Sequence, residues 1–192
     1  MSKILHIPES LQFYFANAQQ ASAINQMLEM DSLPMGLTWK EVEHYQMAKL
    51  SAQTTQLDYW LFSKKLWEAT WGQVAQGLKE VAPEYYENEY SMQNVWEGGF
   101  YKAFEKRNTL LWCNGATEDG SLEDGLRLYF DFGENEIFKN LELSDGWEAD
   151  NYEYEGRYTK KNLVEIQGKT EIDISPLVEL AKEAMEEFRK KL

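Results

Sequence analysis

Short stretches in the second half of the chain alternate between apolar and polar residues. In residues 125–132, GLRLYFDF, every second residue is Leu or Phe. A period of two is typical of a half-buried β-strand, and aromatic and branched residues favour that state. We predict further strands at residues 109–113, 137–143, 152–158 and 162–167. Ile172 and Ile174 indicate a short edge strand.

A longer period, close to 3.6 residues, predicts helices on both sides of these strands. An apolar stripe indicates a first helix from Pro8 to about Leu28. Thr38 and Glu41 have the spacing of a capping box, in which each side chain bonds the backbone amide of the other residue. A second helix should therefore begin at Trp39, and we expect it to end near Ala52.

Three more helices follow from the same kind of pattern. A stripe of Trp, Val and Leu predicts a third helix over residues 57–81, and the spacing of four between Trp96, Phe100 and Phe104 predicts a short fourth helix. Ser175 and Pro176 are the residue types that favour the N-cap and first position of a helix. They predict a last helix over residues 175–192.

The order of these elements predicts an α+β fold. It has N-terminal helices, an antiparallel β-meander of about five strands, and a C-terminal helix packed on the sheet. A chain of 192 residues suits a single domain, residues 1–192. Its mainly helical part would span residues 1–107, its sheet 108–174 and its C-terminal helix 175–192.

Composition narrows the class of protein further. The chain is 43% hydrophobic and 14% aromatic, with seven Trp and eleven Tyr, which is typical of a folded domain with aromatic side chains left for a partner. Its one cysteine, Cys113, permits no disulfide framework. No apolar run approaches the ~20 residues of a membrane span, and the start is too polar for a signal peptide. We therefore predict a cytoplasmic protein.

The negative charge of the chain is concentrated in one region. The net charge is −14, and residues 84–155 hold eighteen acidic against five basic residues, a net −13. Residues 1–83 contribute −2 and residues 156–192 contribute +1. Nucleic acids and anionic membranes attract positive surfaces, so we expect this chain to bind neither directly.

The sequence lacks the common motifs of cofactor and metal sites. It contains no phosphate-binding loop, dinucleotide-binding turn or nucleophile elbow. Its two histidines, His6 and His44, have no zinc-ligand spacing, and the loop TEDGSLEDG lacks the ligand order of a calcium loop. We predict no cofactor and no resident metal.

One enzymatic alternative uses carboxylates on neighbouring strands. A metal-dependent phosphodiesterase of the restriction-nuclease type needs an Asp on one strand and a Glu-x-Lys or Glu-x-Gln on the next. Glu165 and Gln167 fit the second element, and Asp131 or Asp150 could supply the first. The basic surface that would hold a nucleic acid is missing around them. A glycosidase-like pair of carboxylates is a further alternative, but no pair stands out.

The main hypothesis takes the acidity itself as the functional feature. Acidic side chains on alternate strand positions and on turns can present a negative ladder like that of a nucleic-acid backbone. A protein with such a ladder would occupy a basic site on a partner protein. The alternative is that the acidic surface serves solubility alone. The candidate partner-binding residues are Glu134, Glu136, Glu142, Asp145, Trp147, Glu148, Asp150, Tyr152, Glu153, Tyr154 and Glu155.

In general character the chain is similar to small acidic inhibitors that phages and mobile elements encode against host nucleic-acid-binding or defence proteins. No motif carries this similarity, so it transfers no functional residue.

Overall fold

The computed structural model describes residues 3–72, 89–91, 99–104, 109–114, 127–131, 142–150, 156–159 and 164–191. The helices in these ranges are α1 (Glu9–Tyr14), α2 (Ala18–Glu29), α3 (Trp39–Trp67) and α4 (Ser175–Lys191), and a π-helical turn, Glu68–Gly72, continues α3. The strands are β1 (Ile4–His6), β2 (Glu89–Ser91), β3 (Gly99–Phe104), β4 (Thr109–Asn114), β5 (Arg127–Asp131), β6 (Trp147–Asp150), β7 (Gly156–Thr159) and β8 (Glu171–Asp173).

The first predicted helix is in fact two helices, α1 and α2, separated by residues 15–17. Asn17 begins α2, because its side-chain oxygen accepts a hydrogen bond from the Gln20 amide at 2.9 Å. This is the normal role of an N-cap residue. Tyr14 and Ile24 are buried on either side of the break, so the apolar stripe continues across it.

The predicted capping box at the start of α3 is confirmed. The Thr38 hydroxyl accepts a hydrogen bond from the Glu41 amide at 3.4 Å, and the Glu41 carboxylate accepts one from the Thr38 amide at 2.8 Å. The Thr38 hydroxyl also donates to the Glu41 carboxylate at 2.7 Å, and this bond, together with the one from the Thr38 amide, lowers the pKa of the Glu41 carboxyl below its ordinary value. The helix start at Trp39 is therefore fixed by local chemistry.

The predicted end of this helix near residue 52 is wrong, because α3 continues to Trp67. The polar stretch SAQTTQ lies inside it. The hydroxyls of Thr54 and Thr55 donate to the carbonyls four residues before them, at 3.0 and 3.1 Å. Such bonds let threonine remain within a helix without an unpaired hydroxyl.

Residues far apart in the sequence meet in a two-stranded antiparallel sheet. β1 pairs with β8, with Leu5 opposite Ile172. Just before β1, the Lys3 amide donates to the Ser175 hydroxyl at 2.8 Å, and the Lys3 ammonium donates to the Ala69 carbonyl at 3.2 Å. This sheet thus links the start of the chain to α4 and to the π-helical turn.

The predicted antiparallel meander of about five strands is wrong, although the C-terminal helix does contact one strand of the larger sheet, β5. The two-stranded sheet of β1 and β8 lies outside any meander. The other described strands pair in the order β2-β3-β4-β5-β7-β6, in which β7 lies between β5 and β6. The described structure is four helices with strands in this different arrangement.

Two features of the sequence explain the error. Phe100 and Phe104 were expected on a helix but lie on β3. A spacing of four residues places side chains on one face of a helix and also on one face of a strand, so it does not distinguish them. Residues 162–167 were expected to be a strand, but the described part of this range, residues 164–167, is irregular and is followed by Gly168 at φ +70°. The predicted strand at 137–143 lies largely outside the described residues.

The hydrophobic core joins α1, α2, α3 and α4. Tyr59 and Phe62 on α3 are buried, and the rings of Tyr59 and Phe15 lie 6.3 Å apart. α4, which begins where predicted, buries one face against the π-helical turn and β5. Among the described side chains of α4, the buried ones are Leu177, Val178, Ala181, Ala184 and Met185.

Candidate functional site

The acidic segment, defined as residues 134–155, is described in part, over residues 142–150. Glu142 and Asp145 are exposed, and Glu148 on β6 is half-buried. Asp150 is the last residue of β6, where it pairs with Gly156. The exposed acids therefore lie on the turn that leads into β6.

This turn is fixed to α4 by a single carboxylate. Glu183 accepts hydrogen bonds from both the amide and the hydroxyl of Ser144, the latter at 2.7 Å. One residue past Asp145, a Cβ on Gly146 would lie 2.7 Å from the Leu180 side chain. A larger residue here would require the Leu180 side chain to move, so the turn is held against α4 by hydrogen bonds and by close packing.

Charged side chains of the turn and of α4 lie close enough to affect one another. The pKa of the Lys190 ammonium is raised, first by its hydrogen bond and charge pairing with Glu187 and further by Glu186 and Glu142. Glu142 therefore lies close enough to α4 to act on its charges. α4 itself carries four acidic and four basic residues, so the excess negative charge here lies on the turn.

Trp147 was predicted to contact a partner, but its side chain is only 6% exposed. Its amide donates to the Ser144 carbonyl at 3.1 Å, which closes the turn. The Trp147 side chain belongs to the hydrophobic core and so offers little contact area to a partner. Six further candidate residues lie outside the described residues: Glu134, Glu136, Tyr152, Glu153, Tyr154 and Glu155.

The enzymatic alternative required Asp131 and Glu165 on neighbouring strands. Asp131 ends β5, where it pairs with Gly156 of β7. Glu165 and Gln167 are exposed in an irregular segment, and the Gln167 amide donates to the Ala16 carbonyl at 2.8 Å. The strand placement on which a nuclease-like site depends is absent for these two residues.

Among the described ranges, no group of three or more His, Cys, Asp or Glu side chains is arranged to hold a metal ion. The enzymatic alternative therefore gains no supporting observation in this part of the molecule.

A second surface feature lies on α3 and was not predicted from the sequence. Five large hydrophobic side chains on this helix are 40–86% exposed. They form the apolar stripe, defined as Trp39, Met47, Leu50, Leu57 and Leu61. The heptad-like spacing from Met47 to Leu61 was visible in the sequence. The expected break after residue 52 divided the stripe between two helices and so concealed it.

A shallow cavity of about 260 Å³ adjoins the stripe between α2 and α3. Met27, Leu33, Tyr45 and Leu50 supply apolar walls, and Lys49 lies among them. Small-molecule sites are usually larger, about 300–1,000 Å³. The cavity is therefore better suited to accept a side chain than a substrate.

Comparison of the chain with protein-family models, curated proteins and solved structures found no match. In the described part of the chain, none of the helices combines the length and apolar character needed to cross a membrane.

Proposed function

We propose that this chain is a non-enzymatic binding protein whose acidic segment occupies a basic, nucleic-acid-binding surface on a partner protein. The observation that carries the proposal is the net −13 within residues 84–155 of a chain whose total charge is −14. Charge concentrated in this way steers association with a basic surface and makes it fast and salt-sensitive.

The geometry of the acidic turn supports this proposal. Glu142 and Asp145 are exposed while Ser144, between them, is bonded to Glu183. A turn held in place loses little conformational entropy when it meets a partner, which favours binding.

The proposed place of action is the cytosol. A chain with a single cysteine, Cys113, depends on no disulfide and so is suited to a reducing compartment.

The test uses two charge-reversed variants with the same net charge. One replaces Glu134, Glu136, Glu142 and Asp145 with Lys. The control replaces four acids outside the acidic segment, Glu29, Asp31, Glu165 and Glu171, which are all exposed. The probe is the set of lysate proteins that bind DNA-cellulose, applied to each immobilised variant and to the unaltered chain.

We expect the unaltered chain and the control to retain the same protein and to release it as salt rises. The segment variant should fail to retain it, and the retained protein should lose its DNA when the unaltered chain is added. Equal retention by both variants, or retention that is insensitive to salt, would refute the proposal.

A further inference from the structure

The apolar stripe gives α3 two apolar faces. At about 100° per residue, the five side chains of the stripe fall within an arc of about 80°. The buried residues Ala52, Tyr59, Phe62 and Leu66 lie on the other side of the helix. The buried face packs in the hydrophobic core, whereas the apolar stripe presents large apolar groups to solvent.

The spacing of the stripe is that of a helix–helix seam. Met47, Leu50, Thr54, Leu57 and Leu61 are separated by three, four, three and four residues. Apolar residues at these intervals are typical of a helix that packs lengthwise on another helix. From Met47 to Leu61 the seam extends about 21 Å, at about 1.5 Å per residue.

The charge of this helix suits a second copy of the same chain. Residues 39–68 contain four acidic and four basic residues, so the helix and the residue after it are neutral within a chain of net charge −14. Two copies would repel each other if they met through their acidic segments. They meet without that cost through α3.

The charges at the ends of the seam also select an orientation. Glu43 lies eleven residues before Thr54, and Lys65 lies eleven residues after it. Lys40 and Glu68 lie fourteen residues before and after the same position. All four of these charged residues are exposed.

We propose that two copies of this chain associate through α3, antiparallel, about a two-fold axis close to Thr54. Residues at equal distances from Thr54 then face each other, so Glu43 meets Lys65 of the second copy and Lys40 meets Glu68. Met47 meets Leu61 in the same way. A two-fold interface repeats each of these contacts, which makes the surface self-complementary.

A parallel pair would be less favourable. It would place Glu43 against Glu43 and Lys65 against Lys65, and like charges that face each other disfavour an arrangement. This inference is independent of the proposed function, because it rests on the side chains of α3 and not on the charge of the acidic segment.

The first test removes apolar side chains from the seam. The variant Leu50→Ser/Leu57→Ser changes residues that are 58% and 53% exposed. Its control, Ile4→Ser/Phe13→Ser, changes residues off the stripe that are each 54% exposed. Sedimentation equilibrium across a concentration series measures the dimer, and circular dichroism confirms that each variant is folded.

We expect the seam variant to raise the dimer Kd on the order of 100-fold, as removal of two interface anchors does. The control should leave the Kd unchanged. A chain that is monomeric at every concentration, or a dimer that both variants weaken equally, overturns the proposal.

The second test addresses orientation. Glu43→Lys and Lys65→Glu should each weaken the dimer, and the double variant should restore it, because the pair is regenerated with its charges exchanged. Failure of the double variant to recover would contradict the antiparallel arrangement.

Crosslinking gives an independent readout of the same arrangement. In a Cys113→Ser background, Glu43→Cys and Lys65→Cys are prepared as separate chains and mixed with a short thiol crosslinker. An antiparallel dimer joins one chain of each kind, whereas crosslinks only between identical chains would refute the proposal.

Discussion

Lys49 stabilises the end of α2 from the neighbouring helix, and its removal is the sharpest stability prediction. The Lys49 ammonium donates to the carbonyls of Met27, Leu28 and Met30 at 2.7, 2.8 and 2.9 Å. α2 has no basic residue in its own last turn. Lys49 therefore bonds carbonyls that lie at the end of α2, and its positive charge lies near the negative end of the helix dipole.

The substitution Lys49→Met keeps the aliphatic stem and removes the three donors. A hydrogen bond to a charged group contributes about 1.5–3 kcal/mol. Water can replace part of this at a half-buried site, so the three bonds do not add. We expect the free energy of unfolding to fall by about 2 kcal/mol in total. For a chain of this length the melting temperature should fall by about 4–8 °C.

Urea unfolding, followed by circular dichroism, measures this change from the shift in midpoint at constant slope. Lys49→Arg should lose less stability than Lys49→Met, because arginine keeps the positive charge. It should still lose some, because its planar guanidinium group does not converge on three carbonyls. The control Lys169→Met changes an exposed lysine and should alter stability by no more than about 0.5 kcal/mol. A loss for Lys49→Met no larger than that of the control would refute the reasoning.

Three further predictions test the cap, the acidic turn and the core. Thr38→Ala should destabilise the protein by about 1 kcal/mol in urea unfolding, and Thr38→Ser should not, because serine keeps the capping hydroxyl. Gly146→Ala should lower the melting temperature, since the new Cβ would clash with Leu180. When Leu180→Ala is added to Gly146→Ala, it should lower the melting temperature by less than Leu180→Ala does in the unaltered chain. Burial raises the pKa of the Tyr14 hydroxyl above 10.0, so above that pH the unfolded chain loses this proton before the folded chain does. Stability should therefore fall as pH rises through this range. Urea midpoints measure this fall, which should be smaller in Tyr14→Phe. An identical pH dependence in both proteins would contradict the prediction.

Local backbone chemistry was the most predictable part of the fold. Thr38 and Glu41 fix the start of α3 through bonds between near neighbours, and the sequence alone shows that spacing. α4 begins at Ser175, where a helix start was predicted, and there the Ser175 amide donates to the Asp173 carboxylate at 2.9 Å.

Elements that depend on distant partners were not predictable in this way. β1 is three residues long and exists through its pairing with β8, so its own pattern carries little information. The continuation of α3 through SAQTTQ depends on the burial of Ala52, Thr55 and Tyr59 against other helices. The strand order of the larger sheet likewise depends on long-range pairing, which single-strand periodicity does not encode.

The candidate surfaces also differ in how far the sequence alone predicts them. The acidity of the chain and the exposure of Glu142 and Asp145 follow from composition, and these residues stay partner-binding predictions. The burial of Trp147 does not follow, because an isolated tryptophan pattern indicates equally a core or a contact surface. The apolar stripe emerged only once α3 was known to be one continuous helix.

The pairing of β1 with β8 also constrains the order in which the molecule can form. Leu5 and Ile172 are 167 positions apart. Closing a flexible loop of that length costs about 4–5 kcal/mol of chain entropy, more than two three-residue strands can return at an early stage. The helical core must therefore bring these strands together first. During synthesis on a ribosome, β1 is made before β8 and stays without this partner until the residues between the two strands have been added.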